Sequence, residues 1–569
     1  MKSVHLDGAS LTRHQLLAVA NGATVELDQG ALQAVARAAD FLDAKVSGGE
    51  PLYGISTGFG SNADKLLPAD GRLREQLQRN LVVTHAVCVG EPFAADVVRA
   101  MLCIRINTLL KGHSGIRVST LQALAAMLNA GVVPVVPQLG SVGASGDLAP
   151  LSHLAIVLLG GGEAFYQGER LPGGDALQRA GLEPVTLGLK EGLALNNGTA
   201  QMLATGVLAL GKLEDLLDTA DLAAAMTIDA FAGRLGAFAA EVHALRPHPG
   251  QLHVAARLRA LLEGSTLADN AYARVPGKKV QPQDSYSLRC VPQVHGAVRD
   301  AVAQAARVFE IELNAVTDNP LVFPEAGDAP LDRQVISAGH FHGMPLALAM
   351  SYVKASIPVL ASISERRLNK LVDPATSDGL PGFLVGNEDG TESGYMIVQY
   401  TAAAIVNDLA SRAMPASVYS IPTSANAEDH VSMGANEARH VLAMADDLGK
   451  VLGLELYTAA QALDLRRDMI NAARDLADRA DANALAGKIA CGPRHDSSDH
   501  AGFLAEVEAL RCELAAAEEF RPGDAVAAAH AAIRARIPFL QRDRALDGDV
   551  AAAVQLVVDG EVLAAARMA

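Results

Sequence analysis

Residues 140–153 read GSVGASGDLAPLSH. Gly140, Ser141, Gly143, Ala144, Ser145 and Gly146 fall within seven positions and carry small side chains or none. Three glycines would weaken a helix by about 1 kcal/mol each. A strand gains nothing from side chains that cannot pack. An acid, Asp147, and a proline, Pro150, follow, and then the apolar run LSHLAIVLLGGGE, which predicts a buried helix. The stretch is therefore either a turn leading into a helix or a place where the backbone itself carries chemistry.

Helical patterning extends outward on both sides. Upstream, ALQAVARAADFLDAKV from Ala31 places Leu32, Val35, Ala38 and Leu42 near one face. ADVVRAMLCIRINTLLKG from Ala95 and VSTLQALAAMLNAG from Val118 predict two further helices, the second ended by Gly131. Downstream, helical spacing persists over long runs that begin near Asn197, Val294, Pro345, Glu392 and Met433. These runs exceed the mean helix length of about 11–12 residues, and they imply a central bundle. Several are apolar on more than one face, as helices buried between subunits are. After Arg466 charge alternates with alanine, which marks a more exposed helical layer. Three regions are expected: residues 1–200, loop-rich and holding the glycine-rich stretch; 201–466, the long-helix bundle; and 467–569, the C-terminal layer.

The composition agrees. Among 569 residues, half are apolar, only 4% are aromatic and none is Trp, which favours helices packed on helices. The net charge of −17 argues against a nucleic-acid partner. Cys88, Cys103, Cys290, Cys491 and Cys512 lie far apart and form neither a zinc spacing nor a disulfide framework. The N-terminal residues lack the apolar core of a signal peptide. No uninterrupted apolar run reaches the roughly 18 residues of a membrane span. A cytoplasmic protein with free thiols and no membrane partner is expected. His340 and His342, two apart, and His495 and His500 are weak metal candidates without a third ligand, so no metal is expected. The spacing of a G-x-S-x-G hydrolase is absent from GASGD.

The run GSVGASGDLAPLSHLA resembles the signature of the aromatic amino-acid ammonia-lyase family, which includes histidine, phenylalanine and tyrosine lyases and related 2,3-aminomutases. YGISTGFG, NLVVTHAVCVGEP, EGLALNNGTA, DSYSLRCVPQ, NAVTDNPLVF, GHFHGMP and SIPTSANAEDHVSMG follow in the family's order. The resemblance covers roughly residues 5–470. It implies a mainly α, fumarase/aspartase-like long-helix fold, assembled as a homotetramer whose active sites are shared between subunits. It also implies that Ala144, Ser145 and Gly146 condense into a 4-methylideneimidazol-5-one (MIO) group, with no external cofactor. The residue types suit that chemistry. The Gly146 nitrogen must reach the Ala144 carbonyl carbon through a compressed backbone, and Ser145 must lose its hydroxyl.

The same resemblance assigns roles residue by residue. Tyr53 matches the base that takes the substrate β-proton. A phenol titrates near pH ~10, so a helix N-terminus or a cation must lower it. Arg289 matches the residue that grips the substrate carboxylate, which a guanidinium does bidentately. Asn197 and Gln283 resemble the residues that hold the carboxylate and the MIO oxygen. Tyr286 resembles a second tyrosine that closes the site, and Phe341 one that lies against the MIO ring.

The resemblance implies an aromatic amino acid as substrate and two positions that read its ring. His85 follows Thr84, where histidine lyases usually have Ser. Glu428 stands where histidine lyases carry Glu and phenylalanine and tyrosine lyases usually carry Gln. A carboxylate can hold an imidazole N–H but is left unpaired by a phenyl ring, so histidine, with urocanate as product, is the expected substrate. Asn196, Ala200, His340, Gly343, Met344 and Ala427 depart from the histidine-lyase pattern and keep tyrosine or phenylalanine lyases and a 2,3-aminomutase as alternatives. An unmodified, non-enzymatic helical scaffold is distinguished from all of these by its intact mass.

Overall fold

The computed structural model describes residues 2–47, 71–270, 283–327, 329–387, 389–489 and 500–569. The sequence motif around Tyr53 lies outside the described residues. The chain forms two compact units. The first takes Met1–Gly211, Ala303–Lys354 and Met414–Ala443, and the second takes Lys212–Val302, Ala355–Ala413 and Met444–Ala569. The fold is mainly helical, as the periodicity predicts.

In the first unit, Ser3–Leu6 pairs in parallel with Thr24–Leu27. The helix Arg13–Ala20 connects them, started by a capping box in which Thr12 accepts from the Gln15 backbone and Gln15 reaches back to Thr12. Gln29–Ser47 forms the helix expected around Ala31, and Leu32, Val35, Ala38, Leu42 and Val46 are its buried face. In Ala95–Leu110 every residue from Val97 onward is buried except Arg99, which explains why no amphipathic stripe is visible there. Arg99 instead donates to the backbone carbonyls of Val19, Ala23 and Leu128, tying three segments together. Helices Val118–Asn129 and Leu148–Leu158 complete this core. Small sheets, not anticipated from the sequence, brace the loops: Val89–Pro92 with Pro137–Leu139, a three-stranded sheet of Val133–Pro134, Glu163–Tyr166 and Glu169–Pro172, and Leu321–Val322 with Val335–Ile336.

The second unit is organised round a buried charge network. Asp221 accepts from His295 Nδ1 at 2.8 Å and from Arg299 at 2.5 Å, while Arg367 and Glu455 pair at 2.5 Å with neither side chain exposed. Helix Asp524–Arg536 packs on Pro249–Leu261 and on Glu561–Met568, so the C-terminal residues form part of this unit.

The longest helices are Ala200–Ala230, Val291–Glu312, Met344–Val372 and Gly434–Arg479. The composition change after Arg466 falls inside the last of these. Met344–Val372 is long and apolar enough to cross a membrane by length and composition, a match that a search for uninterrupted apolar runs passes over. It has the marks of a core helix: its apolar window is 56% buried, and Lys354 pairs with Glu437 without solvent exposure.

Candidate active site

The glycine-rich stretch is a tight turn at the N-terminus of the helix Leu148–Leu158. Gly143 and Gly146 occupy left-handed backbone, at φ +67° and +71°. Gly146 forms a parallel bridge with Gly198, and the Asp147 N–H donates to the Gly198 carbonyl at 2.7 Å. The approach is so close that a Cβ on Gly146 would sit 2.2 Å from the Gly198 oxygen. A Cβ on Gly198 would in turn meet the Thr317 carbonyl at 2.3 Å and Arg105 Nη1 at 2.4 Å. Glycine is required on both sides.

The rest of the turn is fastened from a distance. Ser432 Oγ donates to the Gly143 carbonyl at 2.8 Å, and Met433 N donates to Val142 O at 2.8 Å. The Ala144 methyl is buried with Val431 and Met433. Asp147 accepts from Ser141 Oγ at 2.8 Å and from the Met202 N–H at 3.0 Å. Burial pushes its carboxyl up to about 7, against the lowering effect of those two hydrogen bonds.

Ser145, between the two glycine approaches, faces a cavity of about 490 Å³. His85, Asn197, Phe341 and Glu428 line the same cavity, as does Ala144. Asn197 follows the short helix Glu191–Asn196, and its Nδ2 donates to the Ser145 carbonyl at 3.0 Å. Arg105, fully buried, holds that segment through the carbonyls of Ala194 at 2.8 Å and Asn197 at 2.7 Å. The Glu428 carboxylate is engaged at both oxygens. Ser145 Oγ donates to Oε1 at 2.5 Å and Thr423 Oγ1 donates to Oε2 at 2.6 Å.

His85 ends the helix Gly71–His85. Burial holds its imidazole below the ordinary histidine range, opposed by the Leu81 backbone and by the charge of Glu428. Thr84 Oγ1 donates to the Asn80 carbonyl at 2.7 Å and lies 3.1 Å from His85 Nδ1.

The cavity also gathers residues that motif reading did not single out for it. His342 Nε2 donates to the His430 carbonyl at 2.9 Å, its Nδ1 accepts from Met344 N at 3.3 Å, and its ring stacks with that of His430 at 6.1 Å. The His-x-His spacing was visible in the sequence; the ring's hydrogen bonds to backbone were not. Thr423, not itself in the lining but bonded to Glu428, had no sequence signal beyond its place in SIPTSANAEDHVSMG.

Three expected site residues are not brought to this cavity. Gln283, Tyr286 and Arg289 belong to the second unit and are not among the cavity's lining. Tyr286 is 72% exposed, and the Arg289 guanidinium lies 4.8 Å from its ring centroid. The Arg289 Nε is buried without a hydrogen-bond partner among the described residues.

Residues 11–484 match the model of a family described as aromatic amino acid lyase. The chain is 46% identical over 566 residues to a protein named histidine ammonia-lyase from Gloeobacter violaceus, covering 99% of this chain and 97% of that protein. Among solved structures, histidine ammonia-lyase from Trypanosoma cruzi is 35% identical with a TM-score of 0.81, covering 99% of this chain and 95% of that one. Tyrosine aminomutase from Streptomyces globisporus is 33% identical with a TM-score of 0.83, covering 99% and 98%.

Proposed function

The chain belongs to the aromatic amino acid lyase family, and from that premise we propose that it converts L-histidine to urocanate and ammonia. The observation that carries the choice of substrate is the Glu428 carboxylate, 2.5 Å from Ser145 Oγ in a cavity that also holds His85. An imidazole presents an N–H to a carboxylate and a second nitrogen to a neighbouring polar group. A phenyl ring would strand both. The name borne by the 46%-identical relative supports the same substrate.

Ala144, Ser145 and Gly146 fit self-condensation into MIO. The left-handed Gly146, pressed against Gly198, supplies the compressed backbone, and Ser145 opens on the cavity. Once formed, the group supplies an electrophilic carbon that no standard side chain offers. Asn197 Nδ2 holds the Ser145 carbonyl oxygen, which the ring retains. Glu428 and His85 orient the imidazole, and Phe341 forms a wall of the cavity. Tyr53 takes the β-proton; as the β C–H and α C–N bonds break, the Cα–Cβ double bond forms and ammonia leaves.

Arg289 takes the substrate carboxylate, assisted by Gln283, with Tyr286 closing the site. We assign these three to neighbouring copies in a homotetramer with shared active sites. Large apolar residues left exposed on one copy support that assembly: Leu348, Tyr352 and Val359 on one helix, and Ile397 and Tyr400 on another. We place the enzyme in the cytoplasm; the described cysteines, Cys88, Cys103, Cys290 and Cys512, are all unpaired.

Incubation with histidine, tyrosine and phenylalanine tests the reading. Urocanate is expected to accumulate fastest. Faster coumarate or cinnamate, or a β-amino acid, overturns the substrate or the reaction outcome. An active enzyme lacking the loss of two waters, about 36 Da, across residues 144–146 overturns MIO.

A further inference from the structure

We propose that Thr423 is a positioning residue for recognition of the substrate ring, acting through Glu428. This rests on the lyase reading above. Thr423 and Glu428 are joined twice. Their backbones pair as an antiparallel bridge, with Thr423 N donating to Glu428 O at 2.9 Å and Glu428 N to Thr423 O at 3.3 Å. Their side chains are joined by the 2.6 Å hydrogen bond from Oγ1 to Oε2.

The turn closed by this bridge is strained. Ser424, Ala425 and Asn426 sit in succession at φ +51°, +52° and +65°. Left-handed backbone crowds the Cβ of a residue with a side chain, and three in a row persist only where the surroundings hold them. The Thr423–Glu428 bridge is such a hold, and Ser424, Ala427 and Glu428 line the cavity beyond it.

The side-chain bond fixes the plane of the carboxylate. The terminal torsion of a glutamate is broad, so an untethered carboxylate would rotate freely about it. With Oε2 held by Thr423, Oε1 is the oxygen turned to Ser145. Condensation of residues 144–146 removes the Ser145 hydroxyl and releases Oε1, which then meets the substrate imidazole N–H. Ala427 adds only a methyl to the cavity, with no amide to compete for the carboxylate.

The test is a double-mutant cycle on the purified full-length enzyme, using whichever amino acid the wild type turns over fastest. Thr423→Val is expected to raise KM about tenfold or more with a smaller fall in kcat, as loss of a hydrogen bond to a charged group allows. Thr423→Ser restores KM to within about threefold, because it returns the hydroxyl. In a Glu428→Gln background, Thr423→Val changes kcat/KM less than about twofold, since the group it acts through is already altered. Thr423→Val keeps the loss of about 36 Da. An unmoved KM in Thr423→Val, additive losses in the cycle, or a Thr423→Val chain without the mass loss overturns the proposal. A wild type that releases ammonia from none of the three amino acids overturns the lyase reading itself, and this proposal with it.

Discussion

At the scale of single residues, the site is decided by what is missing from side chains as much as by what is present. Gly198→Ala would place a carbon 2.3 Å from the Thr317 carbonyl and 2.4 Å from Arg105 Nη1, both in the buried interior. The backbone must retreat, carrying Asn197 away from the Ser145 carbonyl. Activity is expected to fall at least about 100-fold, as it does when positioning slips by an ångström, with loss of the 144–146 mass change read in the same sample. Ser145→Ala removes the hydroxyl that leaves in the proposed condensation; it is expected to abolish the mass loss and lower turnover by about 1,000-fold or more, checked by intact mass and urocanate absorbance. Glu428→Gln is expected to lower kcat/KM for histidine by about 10- to 100-fold, since an amide cannot replace a charged acceptor. Parallel assays with histidine and tyrosine test whether the loss is specific to the imidazole.

At the scale of elements, the six-residue helix Glu191–Asn196 delivers Asn197 and is too short to hold itself. Its entry, Lys190, sits at φ +61° and pairs with Asp318 at 2.6 Å, both fully buried. Glu191 accepts from the backbone of Arg117 at 2.9 Å and of Gly188 at 2.5 Å. Lys190→Met leaves Asp318 buried without its cation, and a loss of about 3–5 kcal/mol in urea unfolding is expected. Lys190→Met combined with Asp318→Leu is expected to recover most of it, because the stranded charge is gone. The long helices were legible in the sequence because apolar period and length are local properties. The turn at 140–147 was legible because glycine use betrays backbone demand. The Ser145–Glu428 contact spans 283 residues and has no periodic signal; only the family resemblance placed the two together. Nothing local marks Thr423 as the clamp on Glu428, or Arg105 as the anchor of Asn197. The small sheets escaped notice because strands of two to four residues are too short to show alternation.

At the scale of the whole molecule, two buried acids link stability to pH. Asp147 and Asp229 are both raised to about 7 by burial, Asp229 despite hydrogen bonds from Ser265 Oγ at 2.6 Å and Gly523 N at 2.9 Å. A carboxyl raised above its unfolded value of 3.8 adds stability that is full below that value and is lost as pH rises through about 7. Stability is therefore expected to decline between pH 5 and pH 8, and Asp229→Asn should flatten that decline by no more than about 3 kcal/mol. Urea midpoints of the two proteins at both pH values check it. The embrace of Gly146 by Gly198 has a consequence for how the protein is made. A nascent chain that has emerged only as far as residue 180 holds the three residues of the proposed condensation but not Gly198, against which Gly146 is pressed. If the proposed MIO forms, ribosome-stalled or truncated polypeptides of that length should be chemically inert, and the hazard of a reactive alkene loose in the cell is postponed until synthesis has passed the second glycine.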